Sequence, residues 1–119
     1  MTDEESRNPA YLSLGIQHLQ IALRYAERGR RVFFDENNPD TALLVEGELR
    51  KAYDSLNRLG ASFWSANPRV PRDRIGKTRQ LLTHDYAGVE RGEIWRIVSQ
   101  DARPLLHALT KARISTTKT

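Results

Sequence analysis

The chain has 119 residues, 39% hydrophobic and 29% charged, a formal net charge of +4 and no cysteine. That is the length of one ordinary domain, enough to bury roughly two-thirds of its unfolded surface around a single core. The composition excludes a disordered or fibrous protein, and the lack of cysteine excludes disulfides, thiolate zinc sites and cysteine nucleophiles. No apolar run approaches the ~20 residues of a membrane span. The opening Met-Thr-Asp-Glu-Glu-Ser is the reverse of a signal peptide. A cytoplasmic protein with no membrane partner is expected. It reads as one helical domain over 1–119, with 1–8 and 114–119 as flexible tails.

The first periodic segment runs from about Pro9 to Arg28. Leu12, Ile16, Leu19, Leu23 and Ala26 fall within about 40° of one line on a helix. A second line holds Tyr11, Leu14, Ile21 and Tyr25, with His18 among them. This helix therefore has two faces to bury, the second against more core or a second subunit. Gly29 stands just past its end, where glycine ends helices. Arg30 to Glu36 reads as a short helical turn, with Val32, Phe33 and Phe34 packing inward. Asn37-Asn38-Pro39 is a turn, and Asp40 or Thr41 caps a third helix reaching about Trp64. Val45, Leu49, Ala52, Leu56, Leu59 and Phe63 form its apolar stripe, while Glu46, Glu48, Arg50, Lys51, Asp54, Asn57 and Arg58 lie mostly off it. Gly47 and Gly60 each cost about 1 kcal/mol relative to Ala in a helix. They are expected where another helix comes close.

Asn67-Pro68 and Val70-Pro71 make the longest break. A fourth helix follows from Arg72 to about Tyr86, and a last one from Glu93 to about Arg113. Trp95, Val98, Ala102, Leu105 and Leu109 form the last stripe. Pro104 within it predicts a kink near Ala102. Trp64 and Trp95 read as core anchors. No stretch alternates with period two. The expected fold is all-α, an up-and-down bundle of four main helices plus a short extra helix.

The net charge has an address. Residues 69–79 hold Arg69, Arg72, Arg74, Lys77 and Arg79 against Asp73 alone, and the rest of the chain balances to zero. The histidines His18, His84 and His107 show no metal-ligand spacing, so no metal and no cofactor are expected. What remains is Arg79-Gln80-Leu81-Leu82-Thr83-His84-Asp85-Tyr86. On a straight helix Arg79 and Tyr86 lie about 20° apart and His84 about 140° from Arg79. One site using all three needs long reach, a helix ending near His84, or a second copy across a two-fold axis. A dimer would also supply two histidines, one as acid and one as base.

This pattern, with Val70-Pro71 before it and Ile94-Trp95 and Asp101-Ala102-Arg103-Pro104-Leu105 after it, resembles the HepT-like family of the HEPN superfamily. The family mark is Arg, four to six residues, then His-x-Tyr. The Tyr11–Tyr25 helix, Asp40-Thr41 and Leu56-Asn57-Arg58-Leu59-Gly60 fit it more loosely. Two departures stand out: Gln80 where members carry Asn or another small polar residue, and Gly60-Ala61-Ser62 where many read Gly-Glu-Ala.

The resemblance implies a HEPN-like bundle that cleaves RNA without metal, as the toxin of a pair with a MntA-type nucleotidyltransferase antitoxin. It implies a homodimer, Arg79 and His84 as catalytic residues, and Gln80 and Tyr86 in support. Tyr86 matches the tyrosine to which the partner attaches AMP. Arg69, Arg72, Arg74 and Lys77 would then bind RNA. The alternative is a non-cleaving HEPN module that binds a nucleotidyltransferase partner or a nucleotide.

Overall fold

The computed structural model describes residues 6–83 and 90–114. Every secondary-structure element among them is helical. They are α1 (Asn8–Ala26), α2 (Arg30–Phe33), α3 (Asp40–Asn57), α4 (Ala61–Ala66), α5 (Arg72–Thr83), α6 (Arg91–Arg96), a π turn (Ile97–Asp101) and α7 (Ala102–Thr110). The architecture is the expected all-α bundle. Its long members are α1, α3, α5 and the rod formed by α6, the π turn and α7.

Helices α1 and α3 run antiparallel, because the start of one meets the end of the other. The Gly60 N–H donates to Asn8 Oδ1 at 2.8 Å, His18 Nδ1 lies 2.7 Å from Glu48 Oε1, and Arg28 Nη1 donates to Thr41 Oγ1 at 3.0 Å. Leu12, Leu19, Leu23, Val45, Leu49, Ala52 and Leu56 meet between them in the core. Burying a leucine there is worth about 1.5–3 kcal/mol. The close approach falls at Gly15, where an added Cβ would run into the Leu56 side chain. It is not at Gly47, whose surroundings are open. The second apolar line of α1 is half-buried, and Leu14 within it is exposed. Gly29 ends α1 at a φ of 104°, a conformation that favours glycine. Asn8, expected at the edge of a flexible tail, is instead buried and begins α1.

The third helix stops at Asn57 and not near Trp64. Gly60 turns extended there and starts the separate helix α4. The break has its own partners. Asn8 takes the Gly60 N–H, and the buried Trp64 Nε1–H donates to the Leu59 carbonyl at 2.9 Å. Leu59 and Phe63 still reach the core from beyond the break. In α2, Phe33 is buried and Phe34 half-buried, but Val32 points to solvent. Phe33 and Phe34 pack against Trp95, with ring centroids 5.0 and 6.1 Å away.

The expected kink is a π turn, and it comes before Ala102. The Ala102 N–H reaches back to the Ile97 carbonyl, one residue further than in an α-helix. Pro104, which has no N–H, then sits in the first turn of α7. The extra residue rotates the preceding segment by about 100°. Ile94 and Ile97 are therefore fully buried, while Trp95 is half-buried.

Candidate functional site

Helix α5 packs through Ile75, Thr78 and Leu82, spaced three and four residues apart on its buried face. Pro71 precedes its first residue, and the Ile75 N–H closes the first turn on the Pro71 carbonyl at 3.0 Å. The helix lies antiparallel to α3, which brings Arg79 opposite Asp54. Arg79 is half-buried. Its Nε and Nη2 both donate to Asp54 Oδ1, at 3.4 and 3.3 Å. Asp54 Oδ2 accepts from Arg58 Nε at 3.3 Å. One carboxylate therefore holds two arginines, and it raises the pKa of the Arg58 guanidinium above its ordinary value.

Beside this pair is an open cleft of about 370 Å³, lined by Asn57, Arg72, Asp73, Lys77, Arg79 and Gln80. Arg72 and Arg79 share one face of α5 because they are seven residues apart. The Arg72 guanidinium lies over the Trp64 indole, 5.4 Å from its centroid, which fixes it at the cleft's end. Lys77 stands on the rim, shared with a second cavity on the other side of α5.

The basic run divides here. Arg74 faces away from Arg79, and its Nη1 donates to Asp101 Oδ1 at 3.2 Å. Asp101 belongs to the π turn and also accepts from Arg96 Nη1 at 3.0 Å. Beneath it, burial first and Asp101 second push the Tyr53 hydroxyl pKa up from its ordinary value. Arg69, in the loop before α5, lines a cavity with Tyr53, Arg74, Asp101, Pro104 and Ala108. Of the four basic residues expected to bind RNA, Arg72 and Lys77 meet Arg79, and Arg69 and Arg74 do not.

His84 and Tyr86 lie outside the described residues. The described part of α5 ends at Thr83, whose Oγ1 donates to the Arg79 carbonyl at 2.9 Å. His18 is taken up by Glu48, and His107 is exposed on α7. Among the described residues no group of three or more His, Asp or Glu could hold a metal ion. No helix among them is long and apolar enough to cross a membrane. Sequence reasoning missed Asp54. It sits off the α3 stripe among other charges, and only the α3–α5 packing reveals its partner.

Fold and site together define a small helical domain with an arginine-centred, cation-rimmed cleft between two antiparallel helices. A family model described as Ribonuclease HepT-like matches residues 16–112, which include Arg79, His84 and Tyr86. The chain belongs to this HepT-like ribonuclease family. No curated protein and no solved structure matches it.

Proposed function

We propose that the protein is a metal-independent endoribonuclease, the cytoplasmic toxin of a toxin–antitoxin pair. Arg79 binds the scissile phosphate and stabilises the charge that develops on it in the transition state. His84 removes the proton from the ribose 2′-hydroxyl. The freed oxygen attacks the adjacent phosphorus, and the 5′-oxygen leaves as it gains a proton. One histidine cannot be base and acid at the same moment, so the second proton step falls to His84 of a second copy across a two-fold axis. Arg72 and Lys77 bind flanking phosphates, and Gln80 lines the same cleft. A nucleotidyltransferase antitoxin neutralises the enzyme by placing AMP on Tyr86, where an added phosphate repels RNA.

The observation that carries this reading is Arg79 held by Asp54 at a cleft rimmed by Arg72 and Lys77, inside the segment that matches a ribonuclease family. The test is cleavage of single-stranded RNA in EDTA. Arg79→Ala and His84→Ala proteins should be folded and inactive. Full cleavage by a pure His84→Ala protein refutes the assignment.

A further inference from the structure

The balance of charge outside residues 69–79 hides a second asymmetry. After Asp101 the chain carries Arg103, Lys111, Arg113 and Lys118 and no carboxylate side chain. Arg103, His107 and Lys111 are four residues apart, so they lie along one side of α7 and its extension. Their steps of about 6 Å are comparable to the step between successive phosphates of a nucleic-acid strand. All three are exposed.

Across from them is the loop that leads into α5. Asn67 joins the two segments. Its Nδ2 donates to the Phe63 and Arg113 carbonyls at 2.9 and 2.8 Å, and its Oδ1 accepts the Arg113 N–H at 2.7 Å. This clamp holds Arg113 beside Arg69. Between the segments lies a groove of about 500 Å³, whose charged lining is Arg69, Lys111 and Arg113, with His107 alongside. The cavities beside α5 each include Asp73 or Asp101. This groove has no carboxylate, and no ion pair engages Arg69, Arg103, Lys111 or Arg113 among the described residues.

The groove is also connected to the Arg79 cleft. It shares Arg69 and Ala108 with the cavity beside Tyr53. That cavity shares Arg74 and Asp101 with the next one along α5, which shares Asp73 and Lys77 with the Arg79 cleft. The hollows thus adjoin in series, the two beside α5 meeting across the ridge of Asp73 and Lys77. A series of this length suits an extended polyanion better than a compact anion.

We propose that the groove between the 66–70 loop and α7 is a second RNA-backbone subsite. It takes phosphates of the strand that runs out of the Arg79 cleft past Lys77, Arg74 and Arg69. The proposal rests on the ribonuclease reading and assigns that enzyme an extended footprint. Long single strands are then held by both regions, and a dinucleotide by the Arg79 cleft alone.

The test uses the full chain with the triple substitution Arg103→Ala, Lys111→Ala and Arg113→Ala. These side chains are exposed and the Asn67 bonds use the Arg113 backbone, so the thermal midpoint should stay at the wild-type value. Binding of fluorescent poly(U) is measured in a His84→Ala background over a range of salt. The slope of log K against log salt should fall by about 1.4–2, since each single-strand phosphate left without its cation removes about 0.7 and Lys111 and Arg113 line the groove while Arg103 flanks it on α7. Cleavage of a dinucleotide by the triple variant with His84 intact should match the wild type. Lys111→Glu alone should weaken poly(U) binding in the same direction.

A triple variant with the wild-type slope and affinity overturns the subsite. Unchanged RNA binding together with lost binding of polyglutamate assigns the groove to an acidic protein instead. Loss of dinucleotide cleavage in the triple variant overturns its separation from the Arg79 cleft. A wild-type protein that neither binds nor cuts RNA overturns the ribonuclease reading, and this proposal with it.

Discussion

Replacing Asp54 by Ala should slow RNA cleavage and leave the fold standing. The Asp54–Arg79 pair is 3.3 Å long, with side chains 40% and 36% exposed. A pair that exposed contributes no more than about 1 kcal/mol to stability. For a domain of this size that shifts the thermal midpoint by at most about 5 °C. The effect on chemistry has a different origin. Arg79 is a long side chain, and Asp54 fixes it beside the cleft before substrate arrives. Immobilising such a side chain on binding costs about 0.5–1.5 kcal/mol. Without Asp54, RNA must meet that cost, so kcat/KM should fall about two- to twelve-fold. Asp54→Asn keeps an acceptor oxygen and should recover part of the loss. In an Arg79→Lys background, which lacks the planar fork, Asp54→Ala should do little more. The assay is initial-rate cleavage of a labelled RNA, with thermal melts of every variant. A wild-type rate for Asp54→Ala, or an equal slowing in the Arg79→Lys background, refutes the positioning role.

Asn8→Ala should cost about 1–3 kcal/mol in chemical denaturation, because the buried Gly60 N–H loses its acceptor. Trp64→Phe should cost a similar amount, about 1–3 kcal/mol, by leaving the Leu59 carbonyl without its indole donor. Tyr53 bears on alkaline stability. Its folded pKa is raised, so its contribution is complete below the unfolded value of about 10 and is lost as pH rises above it. Tyr53→Phe should therefore melt with a shallower decline above about pH 10 than the wild type. Parallel curves for the two proteins would show that the buried phenol does not set that slope.

The helices that build the core are legible because their apolar residues keep one period. Leu12 to Leu23 and Val45 to Leu56 recur at helical spacing, and all these stripe residues but Ile16 are buried. What is not legible depends on residues far apart in the chain. The end of the third helix relies on Asn8, 52 residues away from Gly60. Nothing near Gly60 announces that partner. A constant period along the last helix leaves Ile94 and Ile97 off the stripe, because the π turn breaks that period. The basic run is legible as charge but not as direction. Helical geometry turns Arg72 toward Arg79 and Arg74 toward Asp101. Arg79 stands out through its spacing to His84, whereas Asp54 is separated from it by 25 positions and looks like any surface carboxylate.

The π turn governs how this helix can change length. It holds one residue more than an α-helix needs, at Ile97–Asp101. A deletion there would therefore preserve the facing of both flanks, with Ile94 still toward the core on one side and Leu105 and Leu109 on the other. The same deletion elsewhere in the rod would rotate one flank by about 100° and expose its apolar side. Yet removing the residue would press Pro104 into a regular helix, a conflict of about 3 kcal/mol. Deletion and proline are thus coupled: loss of Ser99 should be damaging alone and tolerated when Pro104 becomes Ala.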